Sequence, residues 1–176
     1  MIAPSLGTGT GQAYGTILVL LAAMSVVPGV GIVTGPLVGL ASLLLGVQLA
    51  LGRPDPWVPA WLAKRMASSD LGPRFSRWLQ DRCRPLLHLA PPRFPGVLAG
   101  LTVAWSSLLL ILPLAFIPFS NTVPSLSVGL VGVGLLAQRS LLGWLGLALA
   151  GGYTLALVLL GEALFLAGQA LIRQIT

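Results

Sequence analysis

Residues 97–124 read VLAGLTVAWSSLLLILPLAFIPFSNTVP, an apolar segment that ends in a proline-bounded polar turn. Residues 97–117 contain no charged side chain. About 20 apolar residues in a helix suffice to cross the hydrocarbon core of a bilayer. The turn from Pro118 to Pro124 stops a helix, because proline lacks the backbone N–H and restricts the residue before it. The stretch therefore predicts a membrane helix followed by a break.

The composition of the whole chain favours a membrane protein. Of its 176 residues, 56% are hydrophobic and only 8% are charged, and the mean hydropathy is +0.94. Soluble domains carry roughly 25% charged residues, so the composition argues against an aqueous globular fold. No Lys or Arg precedes the first apolar run, which therefore lacks the charged region of a cleavable signal peptide and is expected to be retained.

The positive charges mark one loop. Eight of the ten Lys and Arg residues lie within residues 53–93, between two apolar halves. Short loops rich in Lys and Arg stay on the cytoplasmic side of a membrane, so we expect residues 53–93 to be cytoplasmic. A net charge of +6 on a soluble face would favour nucleic acid. Here the charge belongs to a loop between membrane segments, and no nucleic acid partner is expected.

The basic loop also carries amphipathic patterns. Trp57 and Trp61 share one helical face, and Phe75, Trp78 and Leu79 repeat at helical spacing. Both patterns are typical of short helices in the headgroup plane, with membrane lipids as partners. Recognition of a protein partner by the same faces is the alternative. The residues predicted to lie at the lipid interface are Trp57, Trp61, Lys64, Arg65, Arg74, Arg77 and Trp78.

The two apolar halves resemble each other, which indicates a weak internal repeat. In each half an apolar run meets a break, at Pro28–Pro36 or at Pro118–Pro124. A short Gly- and Leu-rich run then closes on Gln and Arg, as Gln48…Arg53 and Gln138-Arg139. The short runs are either spans completed by the break residues or half-helices of re-entrant hairpins. Paired interrupted segments point to a transporter-like site, and two ordinary turns outside the membrane are the alternative.

The predicted fold is an all-α, polytopic membrane protein with two similar halves in one domain. Its C-terminal apolar segment would measure about 48 Å as one helix, which is too long for a single span. Gly151-Gly152 is the natural place for that segment to bend or divide. The predicted parts of the domain 1–176 are a first helical pair at 14–52, the basic interfacial loop at 53–95, a second helical pair at 97–138, and a C-terminal membrane helix or helices at 141–172.

Small residues recur four positions apart in the apolar regions. Such pairs let helices approach closely without a hydrophobic driving force. They predict a packed bundle, and a homo-oligomer such as a homodimer or a place in a membrane complex. The pairs are Gly11 and Gly15, Gly35 and Gly39, Gly96 and Gly100, and Gly146 and Ala150.

The polar residues indicate a solute site rather than catalysis. Cys83 and His88 are each the only residue of their type, so we expect no enzyme, no metal and no cofactor. Asn121 either satisfies freed backbone groups or binds a polar solute. Glu162 lies near the opposite headgroups if its helix is straight, and approaches Arg139 if the chain turns back. The candidate solute-binding residues are Pro28, Pro36, Gln48, Pro118, Ser120, Asn121, Pro124, Arg139 and Glu162.

Several of these motifs together resemble a known family. Residues 46–53, GVQLALGR, followed by residues 55–59, DPWVP, are similar to the "LQLLLGR-x-x-PWLP" stretch of the ExoD exopolysaccharide-synthesis family. Residues 118–124, PFSNTVP, resemble that family's "P-x-P-F-x-N-x-x-P" signature, and residues 134–139, GLLAQR, resemble its "LGLLxRDG" closing. The resemblance covers residues 20–155. Ser140 stands where the family has Asp, and the first proline of the signature is absent.

The resemblance implies an integral protein of the bacterial inner membrane that is linked to exopolysaccharide production. It implies no reaction. We expect a permease-like protein that binds or passes a small polar solute or ion at the paired breaks. The alternative is a non-catalytic structural or assembly subunit of a larger membrane complex, and a lipid-modifying enzyme is a third class.

Overall fold

The computed structural model describes residues 8–26, 31–57, 94–111 and 121–175. Within these ranges every regular element is helical, so the predicted all-α class is confirmed for the described part of the chain. The elements are α1 (Thr8–Val26), α2 (Gly31–Ala50), α3 (Gly96–Ile111), α4 (Thr122–Ala137) and α5 (Ser140–Ile175).

The first four helices form a ring in which each helix contacts two others. The most extensive contacts join α2 to α3 and α1 to α4, whereas α1 packs less on α2 and α3 packs less on α4. The helices that follow one another within each half are therefore neighbours. The tightest pairs, however, join one helix from each half.

Small residues explain why the pairs between halves are the tightest. A Cβ on Gly46 of α2 would lie 2.7 Å from the backbone nitrogen of Ala104 in α3, and a Cβ on Gly100 would overlap the backbone of Ala50. In the other pair, a Cβ on Gly15 of α1 would lie 2.6 Å from the carbonyl oxygen of Gly132 in α4. At these positions backbone meets backbone, which only glycine permits.

Both tight pairs are antiparallel, so the ring has two distinct ends. At one end, a Cβ on Gly39 would lie 2.9 Å from Cγ1 of Ile111 at the end of α3. We call this the turn end, because α1 and α3 end there and α2 and α4 begin there. At the other end, a Cβ on Gly11 would lie 3.5 Å from the carbonyl oxygen of Leu135. We call it the loop end, because residues 50–57 and 94–96 lie there, on either side of the basic loop.

Two helices finish at the loop end with the same kind of turn. After α2, the Arg53 N–H donates to the Gln48 carbonyl (3.1 Å), and Gly52 has a φ of 71°. After α4, the Arg139 N–H donates to the Gly134 carbonyl (2.8 Å), and Gln138 has a φ of 55°. This is the Schellman arrangement, in which a left-handed residue lets the chain satisfy a free carbonyl of the last helical turn.

The core of the ring is mainly apolar. Side chains from all four helices pack there, and burying a side chain of this kind contributes roughly 1.5–3 kcal/mol. The core residues are Tyr14, Ile17, Leu18, Ala22, Leu45, Leu49, Ala99, Val103, Val128 and Val131.

The fifth helix runs along the ring and then leaves it. Its first turns pack on α4, where a Cβ on Gly146 would lie 2.8 Å from Cγ2 of Val131. Trp105 Nε1 of α3 donates to Thr154 Oγ1 (2.8 Å). Beyond that contact, Leu155 to Leu166 presents exposed apolar side chains on every face.

α5 is one continuous helix of 36 residues, about 54 Å long. The expected division at Gly151-Gly152 does not occur: both glycines are helical and exposed, with nothing within 4 Å of a Cβ placed there. Among the described residues, Ser140–Ala167 is the one helical stretch long and apolar enough to cross a membrane.

The predicted breaks are shorter than the sequence indicated. α2 already begins at Gly31 and contains Pro36, and α4 begins at Thr122 and contains Pro124. Pro36 and Pro124 therefore lie within helices, as in the alternative in which residues of the breaks complete the apolar runs. Proline in the first turn of a helix removes no intrahelical hydrogen bond, which is why α4 tolerates Pro124. Pro28 and Pro118 lie outside the described residues.

Candidate functional site

The turn end brings the two predicted break regions together. Asn121 immediately precedes α4, and its side chain makes no capping hydrogen bond to that helix. A Cβ on Gly35 of α2 would lie 3.0 Å from Asn121 Nδ2, so the Asn121 amide packs against the Gly35 backbone. The Asn121 carbonyl accepts hydrogen bonds from the Ser125 N–H (3.1 Å) and from Ser125 Oγ (2.6 Å). A half-buried amide from one half therefore meets the first turns of α2 from the other half.

The loop end holds the other polar candidates. Gln48 is buried, and its Oε1 accepts a hydrogen bond from the Trp57 N–H at 2.6 Å. This bond fixes the start of the basic loop against the end of α2. Arg139 is half-buried, and its Nε has no hydrogen-bond partner among the residues that the structure describes.

The predicted solute-binding residues therefore do not form one site. Gly35 and Gln48 stand about 20 Å apart along α2, so Asn121 and Gln48 belong to opposite ends of the ring. Glu162 is exposed on the part of α5 beyond the ring, about 34 Å along the helix from Arg139. Because α5 is continuous, the alternative in which the chain turns back toward Arg139 does not occur. Pro36 is exposed and Pro124 is buried.

Most of the predicted lipid-interface residues lie outside the residues that the structure describes. Trp57 is 66% exposed at the loop end. Among the described residues, no group of three His, Cys, Asp or Glu side chains could hold a metal ion. The predicted residues outside the described ranges are Pro28, Trp61, Lys64, Arg65, Arg74, Arg77, Trp78, Pro118 and Ser120.

Buried hydroxyl groups are the feature that the sequence analysis missed. In α3 and α4 they are all hydrogen-bonded: Ser106 Oγ donates to Ser127 Oγ (3.0 Å), and Ser127 Oγ donates to the Gly146 carbonyl (2.8 Å). The other three bond to the carbonyl four residues earlier, as helical serine and threonine often do. They are Thr102 (2.7 Å), Ser107 (2.6 Å) and Ser125 (2.6 Å).

The buried hydroxyls of α1 and α2 differ. Tyr14, Ser25 and Ser42 are at most 2% exposed, and none of their hydroxyls has a hydrogen-bond partner within the described part of the chain. A signal for Ser42 was present in the sequence, since it continues the helical spacing of Val38, Leu45 and Leu49.

The chain matches a family model described as "Exopolysaccharide synthesis, ExoD" over residues 6–159. The chain belongs to the ExoD family. The matched region includes the motifs that carried the resemblance and extends to α1 and to the first half of α5. Membership links this ExoD-family chain to exopolysaccharide synthesis.

Two relatives match most of the chain. The chain is 33% identical to "Protein ExoD" of Rhizobium meliloti (strain 1021), over 82% of this chain and 62% of that protein. It is 30% identical to "Uncharacterized protein slr1875" of Synechocystis, over 69% of this chain and 60% of that protein. The chain thus spans about three fifths of the length of these relatives. No solved structure shows a significant match to it.

Proposed function

We propose that this ExoD-family chain is a multi-pass membrane protein that supports exopolysaccharide synthesis without catalysing a reaction. In this proposal it is permease-like, and binds or passes a small polar solute or ion at the turn end. The observation that carries the proposal is the contact between Asn121 and Gly35. It brings a polar side chain to the interface between the two halves, and in transporters built from repeats the solute site lies at the interface between the repeats.

The apolar surface of the helices supports placement in a membrane. Apart from Glu162, α5 is apolar and exposed over Leu155 to Leu166, and a helix that is hydrophobic on nearly every face is stable in lipid rather than in water. α1 to α4 contain 16 to 20 residues, or about 24–30 Å of helix, close to the thickness of a bilayer core. Leu37, Leu40 and Leu44 of α2 are likewise exposed.

The positive charge supports an orientation. Arg53 and Arg139 both stand at the loop end, where the basic residues 53–93 leave and rejoin the ring. The positive-inside rule then puts the loop end in the cytoplasm and the turn end on the opposite side of the bacterial inner membrane. Membrane lipids would be the partners of Trp57 and of the basic loop.

Flux measurements test the proposed solute site. We would reconstitute the purified protein in liposomes and compare the wild type with Asn121→Ala and Glu162→Gln. We expect ion or polar-solute flux above that of empty liposomes, a loss of flux in Asn121→Ala, and no change in Glu162→Gln, since Glu162 lies outside the ring. Well-folded protein without flux, or equal flux in Asn121→Ala, would contradict the solute site.

A second candidate function is that of a non-catalytic assembly subunit. The specific observation in its favour is the far half of α5, whose apolar surface is covered by no other described residue of this chain. In a complex this surface would pack against a helix of a partner subunit or of a second copy. Stable co-purification of a partner in mild detergent, lost when Leu159 and Phe165 are both replaced by Ser, would favour this candidate; an isolated monomer would exclude it.

A further inference from the structure

The buried hydroxyls of the two hairpins of the ring differ in their hydrogen bonding. Across the α3–α4 contact, Ser106 and Ser127 are hydrogen-bonded, and the carbonyl of Gly146 in α5 closes that network from outside. Across the α1–α2 contact no hydrogen bond joins described side chains, and the close glycine contacts of these helices are made with α4 and α3 instead. The α1–α2 side is therefore the one whose buried hydroxyls have no hydrogen-bond partner among the described residues.

The free hydroxyls follow the core-facing stripes of both helices. Tyr14 shares its stripe with Leu18 and Ala22, and Ser25 continues it toward the turn end. Tyr14 and Ser25 are separated by about 16 Å along α1. Ser42 lies on the core-facing stripe of α2 between Val38 and Leu45, and antiparallel packing puts it at about the height of Tyr14. The hydroxyls thus extend from the loop end to the turn end.

A buried hydroxyl without a partner is costly, by roughly 1–3 kcal/mol, and three of them on one side of a core call for a polar occupant. The occupant must be uncharged. Every buried polar residue of the described helices is neutral, and an ion in such an environment would lack the opposite charge that offsets its lost hydration. Hydroxyls both donate and accept, which suits water and small polyols.

We propose that Tyr14, Ser42 and Ser25 bind uncharged hydroxyl-bearing molecules, water or a small polyol, and form the route by which such a molecule passes between the two ends of the ring. This inference rests on the proposed function and specifies its solute class. It assigns the route to the first hairpin and leaves the hydroxyls of α3 and α4 a purely structural role.

The test measures osmotic responses of liposomes that contain the full chain. A sucrose gradient reports water permeability and a glycerol gradient reports polyol permeability, so the two arms distinguish the two solutes. The variants are Ser25→Ala, Ser42→Ala and Tyr14→Phe, each of which removes one hydroxyl. Ser107→Ala is the matched control, because Ser107 is equally buried but bonded within α3. A cooperative unfolding transition in detergent shows that each variant is folded.

We expect wild-type permeability above that of empty liposomes in at least one arm. Each of the three variants should lower it by roughly fivefold, the equivalent of one hydrogen bond, and Ser107→Ala should leave it unchanged. Unchanged permeability in all three variants would overturn the assignment of the route. The turn-end site would then still be judged by Asn121→Ala. Wild-type protein that passes neither water nor glycerol would overturn the inference, and absence of every flux would remove the proposed function with it.

Discussion

Arg53 and Arg139 stand at the same position of the same helix-ending turn. Each backbone N–H donates to the carbonyl five residues earlier, at 3.1 Å for Arg53 and 2.8 Å for Arg139. Gly52 and Gln138 are therefore the equivalent left-handed residues, and Gln48 corresponds to Gly134. Gln48 and Gln138, which both close an apolar run in the sequence, therefore occupy different positions of this turn. With the turns aligned, Gly46 corresponds to Gly132, and both make backbone contacts across the two halves.

The left-handed residues predict opposite effects of two substitutions. A non-glycine residue in this conformation costs about 1–2 kcal/mol, and Gln138 bears that cost while Gly52 does not. We expect Gln138→Gly to raise the free energy of unfolding by about 1 kcal/mol and Gly52→Ala to lower it by a similar amount. Unfolding in mixed detergent micelles with an increasing denaturing fraction measures both. Changes of the same sign would contradict the equivalence of the turns.

The contact between α2 and α3 predicts a strong effect at Gly100. An added methyl group would overlap the Ala50 backbone, and backbone cannot move aside as a flexible side chain can. We expect Gly100→Ala to lower the free energy of unfolding by about 3 kcal/mol. Gly151→Ala is the control, since its methyl group meets nothing, and it should stabilise α5 by up to ~1 kcal/mol. Equal stability of the two variants would disprove the close contact.

Gln48 predicts a local effect at the start of the basic loop. Gln48→Met keeps the size of the side chain but removes the oxygen that accepts the Trp57 N–H. We expect faster hydrogen exchange at the Trp57 amide, by roughly fivefold for one lost hydrogen bond, with little change at amides in the middle of α2. Exchange at Trp57 that stays slow in this variant would show that another group holds the loop.

The hydrogen bonds of Ser127, which join α3, α4 and α5, predict a loss of stability when they are removed. Ser127→Ala removes the acceptor for Ser106 Oγ and the donor to the Gly146 carbonyl. We expect the free energy of unfolding to fall by about 1–3 kcal/mol. Ser42→Ala removes an equally buried hydroxyl that has no hydrogen-bond partner among the described residues, so it should not lower the stability of the empty protein. A cost as large for Ser42→Ala would mean that its hydroxyl has a structural partner.

Part of this structure can be predicted from the sequence, and individual residues show why the rest cannot. The charge-free run that begins at Val97 gives α3, and the polar segment at Asn121 gives the start of α4. The pairing of helices between halves cannot be predicted from the sequence. Gly46 and Gly100 indicate that another helix approaches closely, but not which helix it is. Pro36 and Gly151 predicted interruptions, but helical hydrogen bonds around them keep α2 and α5 continuous. The buried serines were hidden because a serine within an apolar run does not show whether its hydroxyl is bonded.

The side of the membrane on which each end of the ring lies tests the central claim most directly. Cys83 is the only cysteine, so Cys83→Ser gives a background for single cysteines at Asp55 in the loop end and Thr122 in the turn end. Intact spheroplasts are treated with a membrane-impermeant thiol reagent, before and after permeabilisation. The account predicts that Thr122→Cys is labelled in intact spheroplasts, whereas Asp55→Cys is labelled only after permeabilisation. Labelling of both from the same side would contradict a ring of helices that crosses the membrane.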